Sequence, residues 1–427
     1  MKQSFQQRPS RFSFRKKALF AILPVAFILV SLEVTLRCIG FESPTADPYE
    51  SFVLHHPLFL PDGERLRTGS ARTQFFHDQV FERIRPANTK RVFVFGGSTT
   101  YGWALPEPQR DNSYVNQLGG LLETQAPGTR FEMINCGGLS YASYRLVDLV
   151  EECVDYSPDL IIVMSGHNEF IEARHYAGLI GADSVQSRLW YNLRTVRLLY
   201  HFSNKRPQPV LGDNPFITEH YIVRDQEEFD QTFDHYSRNL NRMVDACKDH
   251  RVPVILCTCP SNLLDHPPFY TEPSESMNEA DFYYQVGTAI KLTESGQHEE
   301  ALTMAQGALR DDPRSAIFHY IAGKCYFEMQ RFKEAKASLI LAKETDAFPK
   351  RALDSFNGFV RDLARESNLE LFDAEAVFFA ESEHGIPGEN LFIDDCHPTV
   401  KGHRLFAEGL KEIAATILRE ESKRNSE

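Results

Sequence analysis

The chain has 427 residues, 42% apolar and 25% charged, a globular composition long enough for two domains or for one domain with a large insertion. Its net charge of −13 is uneven: residues 1–37 hold seven basic residues and one acidic, or +6, which leaves −19 for the rest as the difference between the two. An acidic body of that size argues against nucleic acid as a partner.

Six basic residues precede the run from Ala18 to Leu36, which is apolar apart from Ser31, Glu33 and Thr35. This pattern predicts a cytoplasmic basic segment at 1–17 and a transmembrane anchor at 18–37, held in the inner membrane. The body is then expected on the periplasmic or extracellular side. A cleaved signal is the competing expectation, although Leu36-Arg37-Cys38 is too bulky for a small-x-small cleavage site. Residues 38–88 read as a stem, with turn formers at Pro44, Pro48, Pro57 and Pro61-Asp62-Gly63 and no strong period. His55-His56 has no matching ligand spacing and reads as a solvated pair, so no metal and no cofactor is expected. The eight cysteines show no C-x-x-C spacing and read mostly as small buried apolar residues, with Cys136 and Cys396 close enough to motif residues to meet.

From Arg91 the chain alternates in α/β fashion. Strands are predicted at Arg91–Phe95, Phe131–Asn135, Leu160–Met164, Pro253–Cys259 and Leu369–Asp373. Helices are predicted at Asn112–Glu123, Tyr144–Tyr156, Gln226–Asp249 and Val400–Arg419. Short apolar strands between helices imply a parallel sheet buried on both faces, with ligands at the strands' C-terminal ends.

Between the last two strands the pattern changes. Gln297-His298-Glu299-Glu300-Ala301-Leu302 and Arg331-Phe332-Lys333-Glu334-Ala335-Lys336 lie 34 positions apart, as do Ala308 and Ala342. Gly323, Tyr326, Ala335, Leu339 and Ala342 fit the 34-residue tetratricopeptide pattern of paired helices. Two such units are too few to stand alone, so they must lean on something. The body or a helix around Ala352–Ala364 is the expected support, which would set the repeats beside the active-site face and offer a surface to a protein partner.

Four blocks carry chemistry, each at a strand end or in a loop. Gly96-Gly97-Ser98-Thr99-Thr100 follows the first strand, its glycines letting the backbone bend around a candidate nucleophile. It lacks the spacing and the lysine of a phosphate loop. Asn135-Cys136-Gly137-Gly138-Leu139-Ser140 follows the second, with glycines that could expose N–H groups to an oxyanion. Ser165-Gly166-His167-Asn168-Glu169 follows the third, where an Asn amide can donate to developing negative charge. Asp394-Asp395-Cys396-His397-Pro398 puts a carboxylate three residues before an imidazole, able to fix its tautomer while the ring reaches for Ser98.

In this order the blocks resemble the SGNH (GDSL-like) hydrolase superfamily, and more closely its bacterial membrane-anchored members with tetratricopeptide repeats inserted. The resemblance implies a flavodoxin-like parallel-sheet α/β fold with an α-helical insertion and an N-terminal transmembrane helix. Its parts would be an SGNH hydrolase domain at 89–275 and 351–427, with the insertion at 276–350. It implies Ser98 as nucleophile, His397 as general base then acid, and Asp394 orienting it. The oxyanion hole would be drawn from Ser98, Gly137, Gly138, Ser140 and Asn168; the family's second-block glycine aligns with Ser140. The implied activity is a serine esterase acting on an O-acyl ester, of a cell-envelope carbohydrate or lipid. An O-acyltransferase would use the same residues, and a non-catalytic envelope scaffold using the repeats is the alternative from another class.

Overall fold

The structure, a computed structural model, describes residues 14–39, 57–105, 112–171, 193–195, 198, 226–274 and 277–424. The chain divides into two compact units, Met1–His56 with His175–Gly212 and Pro57–Arg174 with Asp213–Glu427.

In the first unit, helix α1 (Phe14–Cys38) contains Pro24. The Glu33 carboxylate accepts hydrogen bonds from the N–H groups of Arg194 at 3.1 Å and Thr195 at 2.8 Å. The transmembrane anchor expected at 18–37 is not supported. A helix covers the segment, but among the described residues no helix is long and apolar enough to cross a membrane. Pro24 interrupts the helical ladder. Ser31, Glu33 and Thr35 add polar groups to the last third, and a carboxylate in hydrocarbon is costly.

The second unit holds both sheets. Strands β1 (Phe59–Asp62), β2 (Arg65–Thr68) and β3 (Val80–Glu82) form a small antiparallel sheet inside the segment expected to be a stem. That expectation failed because these strands are three or four residues long and mostly polar at the surface. Their inward residues nevertheless join the body: Phe59 and Phe81 pack edge-on to each other at 4.8 Å and reach Phe93. Residues 40–56 of that stem, with His55-His56, lie outside the described residues.

The main sheet has five parallel strands: β4 (Thr89–Gly96), β5 (Arg130–Gly137), β6 (Leu160–Met164), β7 (Val254–Cys257) and β8 (Glu370–Phe372). Their order is β5-β4-β6-β7-β8. Both faces are covered, as continuous apolar strands require. Phe93 and Phe95 of β4 face a core shared with Leu146, Val150, Tyr236 and Phe356. Val92 and Val94 face the other way, toward Tyr114, Leu118, Phe406 and Leu410. The first core is roofed by helices α4 (Ser143–Cys153), α5 (Gln226–Asp249) and α10 (Asp354–Ser367). The second is roofed by α3 (Tyr114–Gln125) and α12 (Val400–Arg424). Strand order reverses beside β4, so its C-terminal end opens on the crevice where such sheets bind ligands.

Between β7 and α10 come four helices: α6 (Glu279–Glu294), α7 (His298–Asp311), α8 (Ala316–Glu328) and α9 (Phe332–Glu344). Small residues let the pairs close. A side chain at Gly323 would lie 2.6 Å from the Leu339 side chain. The second pair rests on the body as expected, and its last turn also reaches the start of α10, where Lys343 Nζ donates to Asp354 Oδ1 at 2.7 Å. Ala335 and Leu339 pack with Leu263 and Ile386, flanked by Leu264 and Phe379. All eight cysteines are free. Cys136 meets Cys153, and burial pushes the Cys153 thiol well up.

One buried histidine ties the two roof helices of the second core. The Tyr114 N–H donates to His403 Nδ1 at 3.2 Å. Burial first, and then the charge of His397, pushes the His403 pKa down from 6.5 to about 3. The folded ring therefore stays neutral while an unfolded one takes up a proton. The stability it contributes is full above pH 6.5 and is lost as pH falls toward about 3, on the order of a few kcal/mol. We expect Tm to fall through this window and His403→Gln to lessen the fall. Thermal melts of both proteins from pH 7 to 4 check it; parallel curves contradict it.

Candidate active site

Ser98 opens the single-turn helix α2 (Ser98–Tyr101), capped by Gly97 in extended backbone. The turn is held in place from three sides. Asn135 Nδ2 donates to Thr100 O at 2.8 Å. Thr100 Oγ1 and the Tyr114 hydroxyl are 2.9 Å apart. Thr99 Oγ1 donates to Cys396 O at 3.1 Å, which joins the turn to the loop bearing His397.

That loop is folded by its own aspartate. Asp394 Oδ1 accepts from the N–H groups of Cys396 at 3.1 Å and His397 at 2.8 Å, the local bonding that makes aspartate a turn former. Below it, the Ile393 N–H donates to His397 O at 2.8 Å and Phe392 bridges Pro398. Asp394 Oδ2 is then free to take His397 Nδ1 at 2.7 Å. His397 Nε2 lies 2.7 Å from Ser98 Oγ. A carboxylate only accepts, so Nδ1 carries the ring proton and Nε2 is left to accept from the serine. Burial works against the charge on Asp394, but the bonds from His397 and Cys396 outweigh it and hold the carboxyl below its ordinary range. The imidazole is 12% exposed, so it is sheltered yet reachable.

The N–H groups around Ser98 sort themselves. The Gly137 N–H donates to Asn135 Oδ1 and the Gly138 N–H to Gly96 O, both at 2.9 Å. These two are spent internally, which corrects the expectation that either glycine serves an oxyanion. The Ser140 N–H makes no hydrogen bond among the described residues. Ser140 stands at φ 60°, a left-handed conformation that costs a serine on the order of 1 kcal/mol. The Ser98 N–H, first in its helix, has no acceptor within the turn. Asn168 is buried and gives one Nδ2 hydrogen to Tyr141 O at 2.9 Å, leaving the other. Its amide lies so close to the nucleophile's turn that a side chain at Gly97 would sit 2.6 Å from Nδ2.

Several supporting residues were missed in the sequence. Glu169 is buried, and its carboxylate takes the Ser143 N–H at 2.8 Å and hydroxyl at 2.9 Å, locking the second block to the third. His167 accepts the Ala352 N–H on Nδ1 at 3.1 Å, and burial pushes its pKa down to about 3. A carboxylate just after Asn168 was visible as a signal; the partners 26 and 185 positions away were not.

Residues 292–353 match the tetratricopeptide repeat family. No curated protein matches the chain. Among solved structures, it is similar to an acetyl xylan esterase at 12% identity and TM-score 0.35, covering 76% of this chain and 98% of that one. A GDSL-like lipase from Bacteroides thetaiotaomicron is similar at 12% identity and TM-score 0.32, covering 76% and 87%. So is a lipase/acylhydrolase from Enterococcus faecalis, at 12% and 0.35, covering 77% and 96%. Likenesses of that size carry no argument about chemistry here; the distances above do.

The tight seat of Asn168 against Gly97 is open to test. Gly97→Ala should displace the amide, break its bond to Tyr141 and cost about 1–3 kcal/mol through overpacking. An unchanged melting temperature would contradict this packing.

Proposed function

We propose that the chain is a serine ester hydrolase of the SGNH type, acting on an O-acyl ester through an acyl-enzyme on Ser98. The observation that carries this is the unbroken relay from Asp394 through His397 to Ser98, with a 2.7 Å contact at each step. A histidine so placed takes the serine proton as Oγ attacks the ester carbonyl. Negative charge then grows on the carbonyl oxygen, and the second Asn168 hydrogen with the N–H groups of Ser98 and Ser140 are the donors left to meet it. His397 next gives its proton to the departing alcohol. Water, deprotonated by the same ring, releases the acid; an alcohol in its place would give acyl transfer.

Asp394 has two duties in this scheme. It shapes the loop through Oδ1 and fixes the imidazole through Oδ2. An asparagine keeps an acceptor for the first but cannot hold the same tautomer. Turnover of a soluble activated acyl ester should therefore vanish in Ser98→Ala and fall by about 10⁴-fold in Asp394→Asn, with substrate binding retained. Steady-state kinetics decide it. Wild-type turnover in Ser98→Ala would sink the reading.

A further inference from the structure

The repeats enter and leave the body at the catalytic loops. At the entry, Asn262 is 3% exposed and bonds two segments of the chain at once. Its Nδ2 donates to Asp394 O at 3.1 Å, and its N–H donates to Asp395 O at 2.9 Å. Its Oδ1 accepts the Asp265 N–H at 2.9 Å, which folds 262–265 into a tight turn. Helix α8 of the second repeat grips that turn. The Tyr320 hydroxyl donates to Leu264 O at 3.1 Å, and Lys324 Nζ pairs with Asp265 at 3.3 Å.

At the exit stands Arg351, also 3% exposed. Its Nη1 donates to Asn262 O at 2.8 Å and to His266 O at 3.0 Å, so the two roots of the insertion are stapled together. The next residue, Ala352, gives its N–H to His167, the neighbour of Asn168. One root therefore bears on the backbone of Asp394 and the other on the loop of Asn168.

We infer that the repeat insertion is a positioning device for the catalytic loops, and that Asn262 is the positioning residue through which the second repeat sets Asp394 and, behind it, His397. The inference rests on the ester-hydrolase reading above. Its physical content is simple. The bonds inside the loop 391–399 fix its shape but not its place; Asn262 fastens Asp394 O and Asp395 O to the body, and a shift of about 1 Å in a relay can cost ~10²-fold in rate. Asn262 touches no reacting atom, so it should act on turnover and not on substrate binding.

The test is steady-state kinetics of the full chain with a soluble activated acyl ester. Asn262→Ala should lower kcat by about 10-fold or more with KM unchanged, because the relay is displaced while the substrate's contacts remain. The double variant Tyr320→Phe/Lys324→Met, made wholly within the repeat, should lower kcat in the same sense by a smaller factor. A role that is merely structural would lower Tm and leave kcat per folded molecule intact. Wild-type kcat in folded Asn262→Ala overturns the inference. If Asn262→Ala does not fold, the double variant decides: a lower kcat at constant KM supports it, and no change overturns it. Measuring Ser98→Ala beside them separates the two failures, since activity surviving there condemns the hydrolase reading itself.

Discussion

Everything in the second unit serves one contact, the 2.7 Å between His397 Nε2 and Ser98 Oγ, made by residues 299 positions apart. Closing so long a loop has an entropic cost that no single hydrogen bond repays. The sheet repays it. Ser98 is carried by the end of β4, a strand whose residues 92–95 are all fully buried. His397 is carried by a loop that leads into α12, and α12 is fastened to α3 by His403 and Tyr114. Thr99 then bonds the two loops directly. With both ends anchored in one core, the contact is preorganised, which an electrostatic site needs in order to act without rearranging.

Much of this frame was legible in the sequence because it follows from short-range periodicity. All five parallel strands fall where apolar runs end in turn residues, and Leu160–Met164 and Gln226–Asp249 agree to the residue. The 34-residue repeat spacing was equally plain. The small antiparallel sheet at 59–82 was not, because strands this short have no period to read and gain their place from Phe59 and Phe81 meeting Phe93. The apolar run at 18–36 invites a membrane span, and among the described residues no helix is long and apolar enough to cross a membrane.

The site divides in the same way. Ser98, Asn168, Asp394 and His397 stand out by type and by their place in a block. Which second-block N–H is left over was beyond the sequence, because it depends on whether Asn135 folds back on Gly137 and whether Gly138 reaches Gly96. The second layer was hidden for a related reason. Asn262 and Arg351 look like ordinary polar residues, and their importance lies in partners far along the chain. The repeats looked like an added module, yet their roots share bonds with the catalytic loops.

The central claim is that Ser98 is a nucleophile activated by His397. The most direct measurement is covalent labelling of the intact protein with a fluorophosphonate, followed by mass-spectrometric location of the adduct. The account predicts one adduct per chain, on the peptide bearing Ser98, and its loss in His397→Ala. An adduct on another residue, or labelling of Ser98 that proceeds at full rate without His397, would contradict it.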